Sequence, residues 1–333
     1  MANSNTSIVQ VDPADPQVAA LAKAAEIIRE GGLVAFPTET VYGLGANALD
    51  PLAVARIFVA KGRPVNNPII VHVADLADLP RVVADWPRAA QKLAERFWPG
   101  PLTLVLPHAA SIADGVTGGG PTVAVRMPAH PVALALIRAA GVPLAAPSAN
   151  RSGELSPTSA KHVLRGMGGR IDMIVDGGPT QVGVESTVLD LSVSPPRLLR
   201  PGHITPAEIE AVIGRIGRAG VVPESKPLPS PGLLARHYAP RTPTECLAGS
   251  AARVAECLRQ GEKIGWLTFE AQPELPVMTV IMPDDPAAYA ARVYAELHVL
   301  DELELDRIIV ELPPDEECWL AVRDRLKRAG MKS

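Results

Sequence analysis

The residue types best suited to chemistry are polar and charged side chains at positions where predicted strands end or loops begin. α/β folds build their sites at such positions, because strand ends and loops meet at one edge of the sheet. The segments that carry these candidate residues are 37–45, 61–64, 72, 122–126, 147–150, 156–158, 185–187 and 200–202. They include four cations, Lys61, Arg63, Arg126 and Arg200. Cations that converge in space suit a polyanion such as a nucleoside triphosphate, because the arginine fork matches phosphate oxygens.

Several catalytic motifs are missing from the sequence. It contains no G-x-x-x-x-G-K-[ST], which excludes a P-loop. It also contains no G-x-S-x-G nucleophile elbow and no histidine pair at metal-ligand spacing. Gly118–Gly120 is more typical of a flexible loop than of a phosphate cradle.

Each candidate also has an ordinary structural interpretation. Lys61 can stabilise the C-terminal end of its helix through the macrodipole. His72, between two valines, is typical of a hydrogen-bonded core histidine, and 148–150 of a polar turn. Arg126 and Arg200 can be surface charges that close strands. No single residue identifies a site.

The predicted elements around these residues form one α/β domain with a mixed, twisted sheet. Asp50-Pro51 predicts a helix start, and Gly31-Gly32 predicts a helix end. Strands and helices are interleaved without a strict β-α repeat. The expected helices are 13–30, 51–61, two stretches within 75–97, and 205–215. The expected strands are 33–36, 68–73, 102–106, 122–126, 143–146, 172–175, 186–191 and 197–200.

A proline-rich segment follows the first domain, which we place at 1–217. Residues 221–243 contain six prolines, a composition that favours extended backbone and a semi-rigid strap. We therefore assign 218–243 as a linker or lid. Residues 244–333 predict a small, Rossmann-like, three-layer α/β domain with a mainly parallel sheet. Its expected strands are 244–247, 264–268, 277–281 and 307–311, and its expected helices are 250–260, 285–299 and 315–329.

Composition excludes several functional classes. The chain has 333 residues, 47% of them hydrophobic and 20% charged, as in a soluble globular protein of two domains. Aromatic residues make up only 4%, which argues against a stacking platform for single-stranded nucleic acid. Acidic and basic residues balance in 1–217, and the net charge of −4 arises in 218–333. The three cysteines form no C-x-x-C pair, and no signal peptide or membrane segment is evident, so we expect a cytoplasmic protein.

Five motifs taken together are more informative than any one residue. They occur in the order P-T-E-T-V-Y-G-L-G, K-G-R-P with a following N-P, S-A-N-R-S-G, S-P-T and E-S-T-V. In this combination the sequence closely resembles the YrdC-like family of threonylcarbamoyl-AMP synthases over about residues 8–215. The segment S-P-G-L-L-A-R-H-Y-A-P (230–240) resembles the strap of the long form, which carries an extra C-terminal domain.

The resemblance implies an ATP-dependent enzyme. Members of the family condense L-threonine, bicarbonate and ATP into threonylcarbamoyl-adenylate and pyrophosphate. A separate transferase complex then moves the threonylcarbamoyl group to tRNA. The implied threonine-binding residues are Thr40, His72, Arg126, Ala146 (through its backbone) and Ser186. The implied ATP-binding residues are Arg63, Asn67, Thr122, Ser148, Asn150, Ser156, Arg200 and Tyr238.

In this interpretation the protein mainly positions reactants and stabilises charge. Lys61 and Arg63 are the implied catalytic residues. Together with Mg²⁺ held by the ATP phosphates, they would neutralise the leaving pyrophosphate, and we expect no metal site on the protein itself. The resemblance implies a concave sheet that holds the reactants in its hollow. The strap would close over this hollow through His237 and Tyr238 and exclude water. Leu233, Leu234 and Ala235 depart from the family's Met, Lys and Tyr, so the resemblance supports no contacts there.

Other functions remain open at this stage. One is an RNA-binding module, although the neutral first domain and scarce aromatic residues argue against it. Another is a carbamoyl-adenylate transferase on the same fold that acts in metal-centre maturation. Such proteins carry zinc-finger and acylphosphatase-like segments, which this chain lacks. The sequence decides neither the role of the C-terminal domain, nor the oligomeric state, nor whether tRNA is contacted directly.

Overall fold

The structure of the chain, a computed structural model, describes residues 5–218, 238–270 and 274–330. Residues 219–237 include most of the predicted strap, with Leu233, Leu234, Ala235 and His237, and so these lie outside the described residues. Tyr238 is described. Within the described ranges, no helix combines the length and the apolar character that crossing a membrane requires.

The first part of the chain forms a mixed sheet of 11 strands. These are β1 (Ser7–Gln10), β2 (Val34–Pro37), β3 (Tyr42–Asn47), β4 (Ile70–His72), β5 (Leu102–Pro107), β6 (Thr122–Arg126), β7 (Leu144–Ala145), β8 (Met173–Asp176), β9 (Thr187–Asp190), β10 (Arg197–Arg200) and β11 (Gly217–Arg218). Their order across the sheet is β1-β8-β2-β3-β7-β4-β6-β5-β9-β10-β11. The pair β2–β3 is antiparallel and the pair β4–β6 is parallel, as expected for a mixed sheet.

Helices connect these strands and end at recognisable residues. They are α1 (Val18–Arg29), α2 (Pro51–Lys61), α3 (Arg88–Phe97), α4 (Asp114–Thr117), α5 (Pro131–Ala140), α6 (Ala160–Met167) and α7 (Pro206–Ile213), with a 3₁₀ helix at Leu76–Arg81. The Asp50 side chain accepts a hydrogen bond from the backbone N–H of Leu52 and so caps α2. Gly62 ends α2 in the left-handed conformation, with φ of 61°. That turn directs the chain from Lys61 to Arg63.

The helices cover the two faces of the sheet unequally. On one face, α2, α3, α6 and α7 pack against inward-facing residues of most strands in one core. On the other face, α1 and α5 pack over β1, β2, β7 and β8. At β4, β5, β6, β9 and β10 this second face carries a small apolar cluster without a helix over it in the described part of the chain: Ile70, Val105, Ala124, Val188 and Leu199. Because side chains alternate along a strand, His72 and Arg126 share this open face with Ile70 and Ala124.

The second sheet has four parallel strands. They are β12 (Thr244–Leu247), β13 (Ile264–Thr268), β14 (Met278–Ile281) and β15 (Arg307–Glu311), in the order β12-β15-β13-β14. The helices are α8 (Ala251–Arg259), α9 (Pro286–Leu300) and α10 (Leu320–Ala329), with a 3₁₀ helix at Glu317–Trp319. Helix α8 packs on one face of the sheet, and α9 and α10 pack on the other. This confirms the predicted three-layer domain with a parallel sheet.

The fold class predicted from the sequence is confirmed, and several element predictions are corrected. Helix α1 begins at Val18 rather than at residue 13, and the helix predicted for 315–329 is divided into a 3₁₀ turn and α10. Hydrophobic patterning did not predict β1, β3, α5 or α6. Strand β3 was missed because its sequence, Y-G-L-G-A-N, contains two glycines, which weaken a strand signal.

Leu104→Ala is expected to lower the free energy of unfolding by about 2–5 kcal/mol, because it leaves a cavity in the main core. Leu104 is fully buried there. Leu52→Ala is the matched control, since Leu52 is 77% exposed and its loss is expected to change the free energy by less than about 0.5 kcal/mol. Urea unfolding measures the free energy of unfolding of both variants. Equal losses in the two variants would contradict the packing described here.

Candidate active site

A cavity lies on the part of the sheet that no described helix covers. Its lining comes from the β2–β3 loop, the residue after Gly62, the ends of β4, β6 and β10, the segment that follows β7 and the segment before β9. Nine of the residues predicted from the sequence line it: Thr40, Arg63, His72, Arg126, Ala146, Ser148, Ser186, Arg200 and Tyr238. The cavity therefore contains all five residues assigned to threonine and part of the set assigned to ATP.

Arg126 is held by a chain of polar contacts. Its Nη1 donates to Thr40 Oγ1 at 3.1 Å, and its Nε donates to the carbonyl of Gly100 at 3.1 Å. Thr40 Oγ1 lies 2.8 Å from Thr38 Oγ1, which donates to the carbonyl of Val41. Glu39 forms a buried ion pair with Arg126, with Oε1 2.6 Å from Nη2. The short β2–β3 loop thus fixes the arginine that faces the cavity.

His72 is buried beside Arg126, and its ring makes an edge contact with Phe36. No described residue forms a hydrogen bond with its Nδ1. Burial, with the nearby charge of Arg126, lowers the pKa of His72 to about 3. The sequence alone favoured a hydrogen-bonded core histidine. The structure places a neutral imidazole at the cavity wall, with an Nδ1 that has no hydrogen-bond partner among the described residues. Such atoms are rare in protein interiors unless a ligand or water satisfies them.

Lys61 and Arg63 enter the site from the end of α2. Lys61 Nζ donates to the backbone carbonyls of Ser148 and Asn150, both at 2.5 Å, and so holds the 148–150 segment. Burial, reinforced by Arg63, lowers the pKa of the Lys61 ammonium well below its usual value. Arg63 donates to Asn67 Oδ1 at 2.6 Å and to the carbonyl of Pro68 at 2.7 Å. Both cations are fixed in place by neutral oxygens.

Arg200 lies on the opposite side of the cavity. Its Nε and Nη2 donate to the carbonyl of Ser186, and Nη2 also reaches Ser186 Oγ at 3.1 Å. Nη1 is 3.5 Å from the hydroxyl of Tyr238, a non-glycine residue with φ of 63°. Gly202 allows the chain after β10 to lie against the 185–187 segment, because a Cβ there would lie 2.2 Å from the backbone nitrogen of Thr187. Arg126 and Arg200 are each 3% exposed, so the surface-charge interpretation is wrong for both.

The other predicted residues stand behind the wall or beside it. Asn67 is fully buried against Arg63, and no described residue forms a hydrogen bond with its Nδ2. Asn150 contacts Lys61, and Ser156 Oγ donates to Glu185 Oε1 at 2.5 Å. Thr122 is half-buried at the start of β6, on the strand face that carries Arg126. The structure does not place Thr122 among the residues that line the cavity.

Three further residues, which no sequence pattern marks as functional, belong to this site. Glu39 and Glu185 lie within the ordered motifs, between Thr38 and Thr40 and directly before Ser186. Arg325 of α10 forms a buried ion pair with Glu185, with 2.6 Å between Nε and Oε2. Nothing in the sequence distinguishes Arg325 from the other arginines of that helix. Its role depends on how the two domains pack.

The arrangement can bind an anion and hold polar groups away from water. Arg63, Arg126 and Arg200 line a space that also carries hydroxyl groups and an imidazole nitrogen without a partner among the described residues, and Lys61 lies behind Ser148. In the part of the chain that the structure describes, no group of three or more His, Cys, Asp or Glu residues could hold a metal ion. The charged groups at the cavity wall that can bind an anion are the guanidinium groups of Arg63, Arg126 and Arg200.

Family models match nearly the whole chain. The model named Sua5_yciO_yrdC and described as "Telomere recombination" matches residues 26–202. The model described as "Threonylcarbamoyl-AMP synthase, C-terminal domain" matches residues 204–330.

Individual proteins are similar over the same length. A threonylcarbamoyl-AMP synthase of Bacillus subtilis is 47% identical over 326 residues, which cover 95% of this chain and 93% of that protein. A threonylcarbamoyl-AMP synthase of Pyrococcus abyssi is 46% identical over 317 residues, covering 92% of this chain and 93% of the relative. The crystal structure of P. abyssi Sua5 complexed with L-threonine superposes with a TM-score of 0.91 and 44% identity, and covers 98% of each chain.

The low pKa of His72 predicts how stability depends on pH. Between the unfolded value near 6.5 and the folded value of about 3, the unfolded chain binds one proton more at this residue. The free energy of unfolding should therefore fall as the pH drops through this range, by about 1.4 kcal/mol per pH unit from His72 alone near pH 5.

Urea unfolding of the wild type and of His72→Gln between pH 4 and 7 measures this contribution. Other histidines titrate in both proteins, so the difference between the two slopes isolates His72. Identical slopes would mean that His72 keeps its ordinary pKa in the folded protein.

Proposed function

The chain belongs to the Sua5/YciO/YrdC family, and from this premise we propose that it is a threonylcarbamoyl-AMP synthase. It would form threonylcarbamoyl-AMP, pyrophosphate and water from L-threonine, bicarbonate and ATP, as a nucleotidyltransferase. Its product would pass to a transferase complex that modifies tRNA in the cytoplasm. One observation carries the proposal for this chain: the five residues assigned to threonine line one cavity together with Arg63 and Arg200.

The threonine end of the cavity suits an amino acid whose amine must react. Arg126 would hold the threonine carboxylate through a charge-assisted pair. The amine attacks carbon dioxide or bicarbonate only when it is uncharged, and His72 is itself neutral at physiological pH because its pKa is about 3. Its unpaired Nδ1 can then accept a hydrogen bond from the amine, while Thr40, Ser186 and the backbone of Ala146 fix the orientation.

The carboxylate of the resulting N-carboxythreonine would attack the α-phosphorus of ATP and expel pyrophosphate. The adenosine and phosphates would contact Arg63, Arg200 and Tyr238, together with Asn67, Thr122, Ser148, Asn150 and Ser156. Lys61 and Arg63 would stabilise the charge that develops on the leaving group. Mg²⁺ would enter with ATP, on its phosphates, and neutralise part of their charge.

No side-chain nucleophile is needed, so the contribution of the protein is positioning. Effective molarities from positioning lower a barrier by about 7–11 kcal/mol. The carbamate and the adenylate both hydrolyse in water, so the cavity must also be dry. We infer that Tyr238 helps to exclude water from the cavity, because its side chain is buried there beside Arg200.

Pyrophosphate release from ATP and bicarbonate tests the reaction. Release should depend on L-threonine. L-Serine should be a poorer substrate by about 10- to 200-fold, because one methyl group in an apolar contact contributes about 1–3 kcal/mol. Arg63→Ala should lower kcat by about 10²–10³, as expected for a donor to developing charge.

Lys61→Ala should behave in the same way, and circular dichroism establishes that each variant is folded. Release that is indifferent to threonine would point to another acceptor and would contradict the proposal. ATP binding without release would favour a binding function.

Tyr238→Ala is expected to raise the fraction of adenylate lost to hydrolysis, since water would reach the intermediate. The ratio of free AMP to threonylcarbamoyl-AMP over time measures that loss. Tyr238→Phe retains the ring and serves as the control, with a ratio close to that of the wild type. If hydrolytic loss and rate were both unchanged in Tyr238→Ala, the inference that Tyr238 excludes water would be wrong.

A further inference from the structure

Arg325 is buried at the junction of the two domains. It lies on α10, the last helix described, and is 1% exposed. Its Nε contacts Glu185 Oε2 at 2.6 Å, its Nη2 donates to the carbonyl of Pro201 at 3.0 Å, and its guanidinium lies 5.1 Å from the centre of the Tyr238 ring. Its Nη1 pairs with Asp324 at 2.6 Å. A residue of the C-terminal domain thus contacts three segments of the candidate active site.

Glu185, the partner of Arg325, carries a buried charge at the cavity. It lines the cavity and is 6% exposed, so its charge is buried within the proposed binding site. It accepts hydrogen bonds from Ser156 Oγ and from the hydroxyl of Tyr294 on α9. Burial alone would raise its pKa, but Arg325, Arg200 and the Ser156 hydroxyl outweigh that effect and hold the pKa below its usual value. The carboxylate is therefore negatively charged.

The two domains are fitted closely around this carboxylate. A Cβ on Gly183 would lie 2.2 Å from the carbonyl oxygen of Ala290 in α9, so glycine allows α9 to contact the segment before Glu185. His298, also on α9, lies with Nε2 3.1 Å from the carbonyl oxygen of Ser156. The C-terminal domain consequently contacts both the backbone of Ser156 and, through Glu185, its side chain.

A buried negative charge beside a bound triphosphate opposes binding unless a cation balances it. The guanidinium of Arg200 donates hydrogen bonds to Ser186 and Tyr238, whereas the guanidinium of Arg325 pairs directly with Glu185. We propose that Arg325 is a positioning residue for ATP: it balances the charge of Glu185, and this balance lets Glu185, Ser156 and Tyr238 keep the arrangement in which ATP binds. This assigns a function to the C-terminal domain, namely completion of the ATP site of the first domain. The proposal rests on the proposed function.

The test compares ATP and threonine kinetics in full-length variants. Arg325→Met should raise the KM for ATP by about tenfold or more, because Glu185 is left buried without its cation. The KM for threonine should change by less than about threefold, since Arg325 contacts none of the residues assigned to threonine. Arg253→Met is the matched control. Arg253 pairs with Glu245 and Glu256 inside the C-terminal domain, and its loss should leave both KM values unchanged.

The double variant Arg325→Met/Glu185→Gln separates charge balance from simple domain docking. Removal of the Glu185 charge should restore the KM for ATP to within about threefold of the wild type. If the double variant were as impaired as Arg325→Met, or if both KM values rose together, Arg325 would only hold the domains together and the proposal would be overturned.

Two further measurements keep the result decisive. If Arg325→Met fails to fold, Arg325→Lys and Arg325→Gln replace it: lysine should keep ATP affinity within about threefold, and glutamine should lose about tenfold. Equal affinities would overturn the proposal. Calorimetric titration measures the affinity for ATP without turnover, so it tests the role of Arg325 independently of the reaction. Wild-type protein that binds ATP but releases no pyrophosphate with threonine would therefore refute the proposed function alone.

Discussion

A charge cannot be buried in a protein interior at acceptable cost unless other groups compensate it. This chain buries Lys61, Arg63, Arg126, Arg200 and Arg325 around one cavity, and none is more than 7% exposed. Oxygen atoms compensate the first two: backbone carbonyls for Lys61, and Asn67 with Pro68 for Arg63. Carboxylates compensate Arg126 and Arg325. The β2–β3 loop, the 148–150 segment, the 185–187 segment and α10 are thereby held by the groups that form the site.

The sheet explains why the cations can face a cavity at all. One face is covered by helices along most of its width, while α1 and α5 cover only part of the other face. The part without a described helix carries alternate residues of β4 and β6, which place His72 and Arg126 side by side. The apolar cluster around Ile70 and Ala124 lies next to them and provides a surface of low polarity. A low local dielectric strengthens electrostatic interactions with any anion bound there.

The C-terminal domain takes part in this arrangement. Its parallel sheet has the architecture that often binds nucleotides at the carboxyl ends of the strands. Here, however, Glu311 accepts hydrogen bonds from the backbone N–H groups of Gly249 and Ser250, directly before α8. A side-chain carboxylate thus takes the position where a phosphate would bind. The contacts of this domain with Glu185 and Ser156 lie instead at its other helices, through Tyr294, His298 and Arg325.

The sequence by itself determined the fold class, most elements and the set of candidate residues. Local rules suffice for these, as the Asp50 cap and Gly62 at the end of α2 illustrate, and ordered motifs such as K-G-R-P carry the family resemblance. Tertiary structure decided what no local signal encodes. It decided that β3 forms despite its glycines, that His72 Nδ1 is left without a partner in the described residues, and that Arg325 meets Glu185 across 140 positions. Such contacts depend on desolvation and on the packing of distant segments, and neither leaves a periodic pattern in the sequence.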